Sequence, residues 1–555
     1  AVAAVFAILA GGAARAGTAS ADPDVPAPDV PAPHVPAPGV PGTALTDVPG
    51  LDQSALDVMN QPPYANGRWA VSVRDMDSGE QVVSLNADTF FEPGSVVKTY
   101  SVGAAWQEFG PDSTIVTPVK TTGQTTDGVL AGDLILVGKG DITLGGRTNA
   151  DGSVDYTNLD HNDANGIPGA TLTPEDPLAG INQLAAQVKA AGIDEVSGDV
   201  IVDDRLWDPA ELADQPISPI IVNQNLIDLT TTPTDVGDAA AVAMSPVVAP
   251  WTIDNRVTTV AAGTPNTGFT ARSADQKTIV MEGTIAADAG PTLQVFAFDD
   301  PATFARTAYI EALQRAGVTV TADPVVPNPA GNLPPTAEVD ALPSVAELTS
   351  LPFVEEATYT MKISYNRGAQ TFICRLAVAA GSTDCDDGLA RAEEIWAAAG
   401  LDTTTAVLIV GSGLPGNMLT ANGQVQLQSL MAARPEALVA VVPPRPAFDW
   451  STLLFKVQSG QPFPVTVSPL CRTKTTQCAR EAGCAPAAVT GVGSRVMGHR
   501  PAFSEGSDVL PATAFRVNMS HGNSRVFHVA RRCITVPRVL PSSDAFTPWF
   551  GCVLE

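Results

Sequence analysis

Basic residues are scarce in this sequence of 555 residues. It contains 31 Lys+Arg, of which eight are lysine, against 59 Asp+Glu, and its formal net charge is −28 at pH 7. Nucleic acid and anionic membrane surfaces repel a protein of this charge, so the composition excludes both as main partners. Hydrophobic residues make up 45% of the chain. The chain can therefore bury sizeable cores, and its length suits roughly three domains.

Cysteine is almost absent from the first 440 residues, where only Cys374 and Cys385 occur. In an exported protein these two could pair across a short loop. The remaining cysteines lie near the C-terminus, together with His499, and their spacing lacks the C-x2–4-C pattern of structural zinc sites. The sequence therefore predicts no bound metal. These remaining cysteines are Cys471, Cys478, Cys484, Cys533 and Cys552.

Long apolar runs are lacking as well. Residues 1–10 are apolar but too few for an ordinary membrane span, and Ala19-Ser20-Ala21 is an A-x-A cleavage pattern. We expect residues 1–21 to be a signal peptide with a truncated start. The rest would then be exported to the cell wall or the periplasmic space. A retained N-terminal segment is the alternative, and it is the one route by which the chain would contact a membrane.

A proline-rich linker is predicted for residues 22–50. Within it, "VPAPDVPAPHVPAPGVPG" (25–42) repeats a five-residue unit that contains two prolines. Such a repeat cannot form a helix or the interior of a sheet, and it favours an extended polyproline II spacer. The linker would hold the following domain away from a membrane or a wall.

The composition changes sharply near residue 440. Residues 1–440 carry 19 Lys+Arg and 53 Asp+Glu, a net charge of −34, whereas residues 441–555 carry 12 and 6, a net charge of +6. The tail also lacks a helical or strand period in its apolar residues. We interpret 441–555 as an atypical, irregular tail that does not complete an active site. The simplest hypothesis is translation out of frame beyond about residue 437; a genuine extra domain is the alternative.

The stretch "FFEPGSVVKTYSVGAAW" (90–106) contains the first chemical motif. Pro93 and Gly94 interrupt regular structure, and the apolar residues that follow predict a buried helix. Ser95 and Lys98 are three residues apart and so share one helix face. A serine hydroxyl becomes a nucleophile when a base takes its proton, and a buried lysine can be that base. A capped helix with an exposed lysine is the alternative.

The stretch "TMKISYNRGAQTFICRLAVAA" (360–380) contains a second motif, in which Ser364 and Asn366 precede an apolar helix. Both residue types also cap helices, which is the alternative interpretation. S-x-x-K followed by S-x-N is the order found in active-site serine penicillin-binding enzymes.

Several longer stretches resemble class C low-molecular-mass penicillin-binding proteins, the D-alanyl-D-alanine carboxypeptidase/endopeptidases, over about residues 65–435. They include "GDLILVGKGDITL" (132–144), "SPIIVNQNLIDLTTTP" (218–233) and "GSGLPGNMLT" (411–420). The separation of 269 positions between Ser95 and Ser364 matches the large insertion of that family. The resemblance implies an α+β fold: a β-lactamase/transpeptidase-like domain, an antiparallel sheet with helices, over 51–120 and 301–440. Inserted β-rich domains would occupy 121–300.

The resemblance implies a serine D-Ala-D-Ala carboxypeptidase/endopeptidase that acts on peptidoglycan stem peptides, is inhibited by β-lactam antibiotics and needs no cofactor. Ser95 would be the nucleophile, Lys98 its base, and Ser364 and Asn366 would relay protons and orient the substrate. The K-T-G motif of the family does not follow Asn366, however. Lys120 precedes the insertion, and the stretch that begins at Lys474 lacks glycine. Two alternatives remain: a catalytically inactive peptidoglycan- or β-lactam-binding protein, and a serine β-lactamase.

Overall fold

The computed structural model describes residues 45–432, except 46, 63, 76–77 and 274–276, together with four short strands between residues 465 and 552. The predicted signal peptide, most of the proline-rich linker and most of the predicted tail lie outside the described residues. In the described part of the chain, no helix combines the length and the apolar character that a membrane span requires.

The described α-helices are α1 (Gln53–Met59), α2 (Lys98–Phe109), α3 (Ala179–Ala190), α4 (Pro301–Arg315), α5 (Thr336–Ala341), α6 (Phe353–Lys362), α7 (Asn366–Ala379), α8 (Asp387–Ala398) and α9 (Ala421–Ala432). The described strands up to residue 260 are β1 (Val71–Arg74), β2 (Gln81–Leu85), β3 (Val116–Thr121), β4 (Thr125–Thr126), β5 (Val129–Leu130), β6 (Leu134–Val137), β7 (Glu195–Val196), β8 (Val200–Asp203), β9 (Ala210–Leu212), β10 (Gln215–Ile217), β11 (Leu226–Thr232), β12 (Ala241–Ser245) and β13 (Thr252–Val260). The later strands are β14 (Thr267–Ser273), β15 (Thr278–Ala286), β16 (Thr292–Ala297), β17 (Thr319–Val320), β18 (Ser344–Thr349), β19 (Ala406–Val407), β20 (Met418–Leu419), β21 (Val465–Pro469), β22 (Thr513–Asn518), β23 (Ser524–Val526) and β24 (Gly551–Cys552).

The chain divides into two compact units, and the described residues of the first lie within the ranges 1–91, 420–425 and 461–555. Its central feature is a hairpin whose two strands contain alternating apolar residues. β1 and β2 pair antiparallel, with Val73 opposite Val83, and β24 pairs in parallel with the other edge of β1. Val71, Val73 and Val83 are buried against Leu56 and Trp69 in a small core. Strands β21, β22 and β23 form a separate antiparallel sheet.

The second unit draws on residues 92–419 and 426–460. Between residues 121 and 300, its described part contains strands β4 to β16 and a single α-helix, α3. The larger sheets have the strand orders β18-β3-β6-β8, β17-β7-β5-β4, β12-β11-β16 and β13-β15-β14. The domain boundaries expected from the sequence stay a prediction.

Helix α4 has the helical spacing of apolar residues in its sequence and defined signals at both ends. The Asp300 side chain accepts a hydrogen bond from the Thr303 amide, which caps the helix start, and Pro301 occupies the first turn. The helix ends before Gly317, whose φ of 83° suits glycine. Ile310 and Leu313 of α4 are fully buried in one core with residues of α3 and β6, so this helix packs on strands of the predicted insertion.

A disulfide joins Cys374 of α7 to Cys385, which lies just before α8. This is the pairing considered from the sequence. The two cysteines are buried in a small apolar cluster with Trp207 and Ile217. The start of α8 is thereby tied to the helix that begins at Asn366.

A buried ion pair links α6 to α7. Glu356 is 1% exposed, and the Arg375 Nη1 atom donates to its Oε2 atom at 2.8 Å. The guanidinium group of Arg375 also lies over the rings of Phe109, Phe353 and Phe372. Burial raises the pKa of Glu356 to about 7, although the Arg375 charge opposes this shift.

We expect Glu356→Gln to change how stability depends on pH. A carboxyl group with a pKa raised from 4.5 to about 7 stabilises the fold fully below about pH 4.5, and this contribution is lost as the pH rises through 7. Glutamine imitates the neutral acid at every pH. The variant should match the wild-type chain near pH 4 and exceed it at pH 8 by up to about 3 kcal/mol. Urea unfolding at the two pH values measures this difference. A wild-type chain that gained stability over the variant as the pH rose would contradict it.

Candidate active site

The predicted nucleophile lies at the start of the helix that the sequence indicated. Gly94 has a φ of 59°, and residues Gly94–Val97 form one 3-10 turn before α2 begins at Lys98. Val97 is fully buried and anchors this turn. Ser95 is exposed on the opposite side of the turn. The Ser95 hydroxyl is thus exposed to solvent, while Lys98, three residues later, is buried.

The Lys98 side chain is 1% exposed and lies among oxygen atoms from separate parts of the chain. Its Nζ atom lies 3.0 Å from the Ser95 Oγ atom, 3.4 Å from Ser364 Oγ and 2.6 Å from Asn366 Oδ1. The backbone carbonyl of Ser412 accepts a further hydrogen bond at 2.8 Å. The amine is therefore held in place from several directions.

Ser364 and Asn366 reach the lysine from the turn between α6 and α7. Asn366 is the first residue of α7. Ser364 has a φ of 59°, and its Oγ atom lies 2.7 Å from the Ser95 Oγ atom. The structure thus brings together all four residues that the sequence singled out, across a separation of 269 positions between the two serines. Their catalytic roles stay a prediction.

This arrangement can move a proton. As an uncharged amine, Lys98 can take the Ser95 proton directly across 3.0 Å, which is within the range for general base catalysis. The Ser364 hydroxyl contacts both partners and can donate or accept, so it offers a second path between them. The Asn366 Oδ1 atom accepts from the amine and fixes its direction.

The loop at residues 411–413 has a part in the site that the residue pattern did not indicate. The Ser101 hydroxyl of α2 donates to the Gly411 carbonyl at 2.6 Å, and the Gly411 amide donates to Gln370 Oε1 at 2.8 Å. These contacts aim the Ser412 carbonyl at Lys98. The segment 411–420 was noted for its resemblance to the family. Every residue type has a backbone carbonyl, however, so no residue type in this segment indicates the contact with Lys98.

Lys120, one of the two lysines weighed for K-T-G, does not join the site. It lies on β3, where its Nζ atom donates to the carbonyls of Leu342 and Asp340 at 2.9 and 3.2 Å. Lys474, the other, lies outside the described residues. Among the residues that the structure describes, no group of three or more His, Cys, Asp or Glu side chains could hold a metal ion.

Comparisons with known proteins find similarities that cover most of this chain. The model of the D-Ala-D-Ala carboxypeptidase 3 (S13) family matches residues 52–439. A D-alanyl-D-alanine carboxypeptidase of an Actinomadura species is 28% identical over 417 residues, which are 71% of this chain and 70% of that protein. Penicillin binding protein 4 of Haemophilus influenzae is 17% identical, with a TM-score of 0.51 over 66% of this chain and 76% of the other. A second structure of that protein, complexed with a novel β-lactam, is also 17% identical, with a TM-score of 0.50 over 68% of this chain and 76% of the other. These structural likenesses support a common fold.

We expect Gly413→Ala to be far more costly than Gly400→Ala. Both glycines have left-handed backbones, with φ of 87° and 93°. A Cβ atom at Gly413 would lie 1.8 Å from the Gly94 carbonyl oxygen, next to Ser95, whereas one at Gly400 would meet nothing within 4 Å. Gly400→Ala should cost about 1–2 kcal/mol from the backbone alone, and Gly413→Ala about 3 kcal/mol or more. Urea unfolding gives both values. Equal losses would show that this close approach is not a packing constraint.

Proposed function

The chain belongs to the D-Ala-D-Ala carboxypeptidase 3 (S13) family, a family of serine carboxypeptidases, and we propose that Ser95 is the nucleophile with which it acts on peptidoglycan stem peptides. The observation that carries the proposal is the exposed Ser95 hydroxyl 3.0 Å from the buried Lys98 amine. Ser364 and Asn366 complete the S-x-x-K and S-x-N arrangement around it.

The proposed reaction proceeds through an ester. Lys98 takes the Ser95 proton as the Oγ atom attacks the carbonyl carbon of the penultimate D-Ala. The peptide C–N bond breaks, the leaving D-Ala amine takes a proton, and the rest of the peptide stays on Ser95. Water then hydrolyses the ester and restores the serine. In endopeptidase action the leaving amine belongs to a cross-linked peptide, and the steps are otherwise the same.

Each supporting residue has a proposed role in those steps. Lys98 is the general base. Ser364 lies within 3.4 Å of Lys98 and 2.7 Å of Ser95, which suits it to pass the proton towards the leaving amine. Asn366 orients the Lys98 amine and holds the substrate amide. A partial positive charge at the helix start favours the oxyanion that develops on attack.

The same attack would open a β-lactam ring. A β-lactam carbonyl accepts the Ser95 oxygen, its ring C–N bond breaks, and the leaving nitrogen stays tethered to the acyl group. β-Lactam antibiotics are therefore proposed inhibitors. The complex of the Haemophilus influenzae protein with a β-lactam supports this for a protein of the same fold.

We place this reaction outside the cytoplasm. Peptidoglycan is an extracytoplasmic polymer, and a chain that acts on it has to be exported. We propose that residues 1–21 direct export as a signal peptide, with the proline-rich segment 22–50 as a spacer between them and the enzyme.

The missing K-T-G favours a second candidate function, a protein that binds peptidoglycan or β-lactams with little turnover. In the family that the sequence resembles, the lysine of this motif binds the substrate carboxylate, and its strand supplies half of the oxyanion hole. No K-T-G follows Asn366 in this sequence. We infer that Lys98 can activate Ser95, but that the chain stabilises the transition state poorly.

We expect Ser95 to carry the covalent adduct when the full chain is treated with a fluorescent penicillin. Ser95→Ala should abolish labelling because it removes the exposed hydroxyl that lies 3.0 Å from the Lys98 amine. Ser113→Ala is the matched control: its hydroxyl donates to the Gly110 carbonyl beyond the end of α2, and labelling should be unchanged. Peptide mass mapping identifies the modified residue. Persistent labelling of Ser95→Ala would refute the assignment.

We also expect slow release of D-Ala. Loss of one oxyanion-hole donor lowers the rate by about 10²–10³-fold. The full chain should therefore have a kcat/KM at least about 10²-fold below that of the Actinomadura carboxypeptidase in the same D-Ala-D-Ala peptide assay. Equal values for the two proteins would show that another part of this chain replaces K-T-G.

A further inference from the structure

Ser364 has a backbone conformation that its own residue type does not favour. Its φ of 59° lies in the left-handed region, where a Cβ atom crowds the backbone. Such a conformation persists when the surroundings hold it from several sides. The residues on both sides of Ser364, Ile363 and Tyr365, are buried and supply those points of attachment.

On one side, the support comes from a short 3-10 helix in the predicted insertion, His161–Asp163. The Asn162 Nδ2 atom donates to the Ile363 carbonyl at 3.4 Å. Its Oδ1 atom is buried without a hydrogen-bond partner in the described structure. The bond to Ile363 is therefore the polar contact that accounts for the position of this side chain, and a carbonyl acceptor requires the NH₂ end of the amide.

The turn that carries Asn162 is fixed by a buried ion cluster, which we define as Arg147, Asp160, His161 and Asp228. Arg147 donates to both carboxylate oxygens of Asp160, at 2.8 and 3.0 Å. Asp160 in turn accepts from the His161 amide and caps the turn. All four side chains are at least nine-tenths buried. A buried charge is costly without its partner, so these paired side chains are held in a single geometry.

The cluster also fixes the state of His161. Its Nε2 atom lies 2.9 Å from Arg147 Nη2, and its Nδ1 atom lies 2.6 Å from Asp228 Oδ1. A guanidinium group can only donate, so Nε2 must accept and Nδ1–H must donate to Asp228. This assigns the neutral tautomer with its proton on Nδ1. The residue before Asn162 is thus hydrogen-bonded at both ring nitrogens.

On the other side of Ser364, the same cluster supports Tyr365 through Tyr359 of α6. The Arg147 guanidinium lies 5.3 Å from the centre of the Tyr359 ring, and that ring lies 5.9 Å from the Tyr365 ring. Tyr365 also packs closely on Gly368, where a Cβ atom would lie 2.3 Å from its Cδ1 atom. Tyr365 therefore has packing contacts of its own, in addition to the support that Asn162 gives the turn through Ile363.

We propose that Asn162 is a positioning residue: held by the buried ion cluster, it fixes the Ile363 carbonyl and so keeps Ser364 in the conformation that brings its hydroxyl to Ser95 and Lys98. This inference deepens the proposed function and rests on it for its catalytic consequence. It assigns the inserted segment a part in organising a site whose reacting residues all lie outside it.

The chain offers a matched pair of variants. Asn165 lies three residues after Asn162, and its amide bonds both backbone groups of Val295, at 2.7 and 2.9 Å. Asn165→Ala therefore removes two hydrogen bonds to β16, and Asn162→Ala removes one to the Ser364 turn. Asn162→Asp keeps the shape of the side chain and removes the donor.

With a fluorescent penicillin, Asn162→Ala and Asn162→Asp should lower the acylation rate constant about tenfold and leave the initial binding constant within about twofold. A displaced catalytic group costs rate rather than ground-state binding. Asn165→Ala should acylate like the wild-type chain, although it should be the less stable variant in urea. Equal acylation rates in Asn162→Ala and Asn165→Ala would overturn the proposal.

Hydrogen exchange gives a second readout that needs no catalysis. The Ile363 and Tyr365 amides donate to the carbonyls of Tyr359 and Thr360. In Asn162→Ala these amides should exchange faster than in the wild-type chain, and in Asn165→Ala they should not. Unchanged exchange in Asn162→Ala overturns the positioning role. If the full chain shows no adduct at Ser95, the proposed function fails, and the exchange comparison still decides whether Asn162 holds the turn.

Discussion

The contact between the buried Lys98 amine and the exposed Ser95 hydroxyl is the constraint around which the site is built. A lysine that is 1% exposed needs polar neighbours, because a buried amine without them is costly. Three chain segments provide oxygen atoms: the start of α2, the start of α7 and the loop at 411–413. The placement of these segments follows from the need to surround one nitrogen atom.

The same constraint explains the small residues around the site. The 411–413 loop has to pass close to the start of α2 for the Ser412 carbonyl to reach Lys98. Gly413 permits this, because its backbone lies against the Gly94 carbonyl. Ser101 and Gln370 then satisfy the polar groups of Gly411 that the close packing buries. The polar contacts of Gly411 and the backbone packing of Gly413 therefore both hold the 411–413 loop close to Lys98.

Local rules predicted much of this fold and site from the sequence. The spacing of Ser95 and Lys98 indicated their common helix face, and the apolar periodicity of 301–316 with Gly317 after it indicated helix α4. Other features were beyond local rules. Every residue type has a backbone carbonyl, so no residue type marks the contact made by Ser412. The left-handed φ of Ser364 is imposed by its neighbours. Asn162 contacts Ile363 across a separation of 201 positions. Contacts of this kind depend on tertiary packing, which the residue pattern alone does not encode.

The assembled site and the missing K-T-G motif show that two tasks of such an enzyme are separable. One is activation of the serine, and the other is stabilisation of the charges that the substrate carries or develops. Activating a serine requires a base within hydrogen-bond reach, and the Lys98 amine, which we propose as that base, lies 3.0 Å from the Ser95 hydroxyl. Stabilising the oxyanion and the substrate carboxylate requires donors aimed at atoms that are charged in the substrate or become charged during attack. A chain can possess the first set of groups and lack the second. A reactive β-lactam needs less help from the second set than a peptide bond does, so such a chain would be expected to retain acylation by β-lactams better than hydrolysis of peptides.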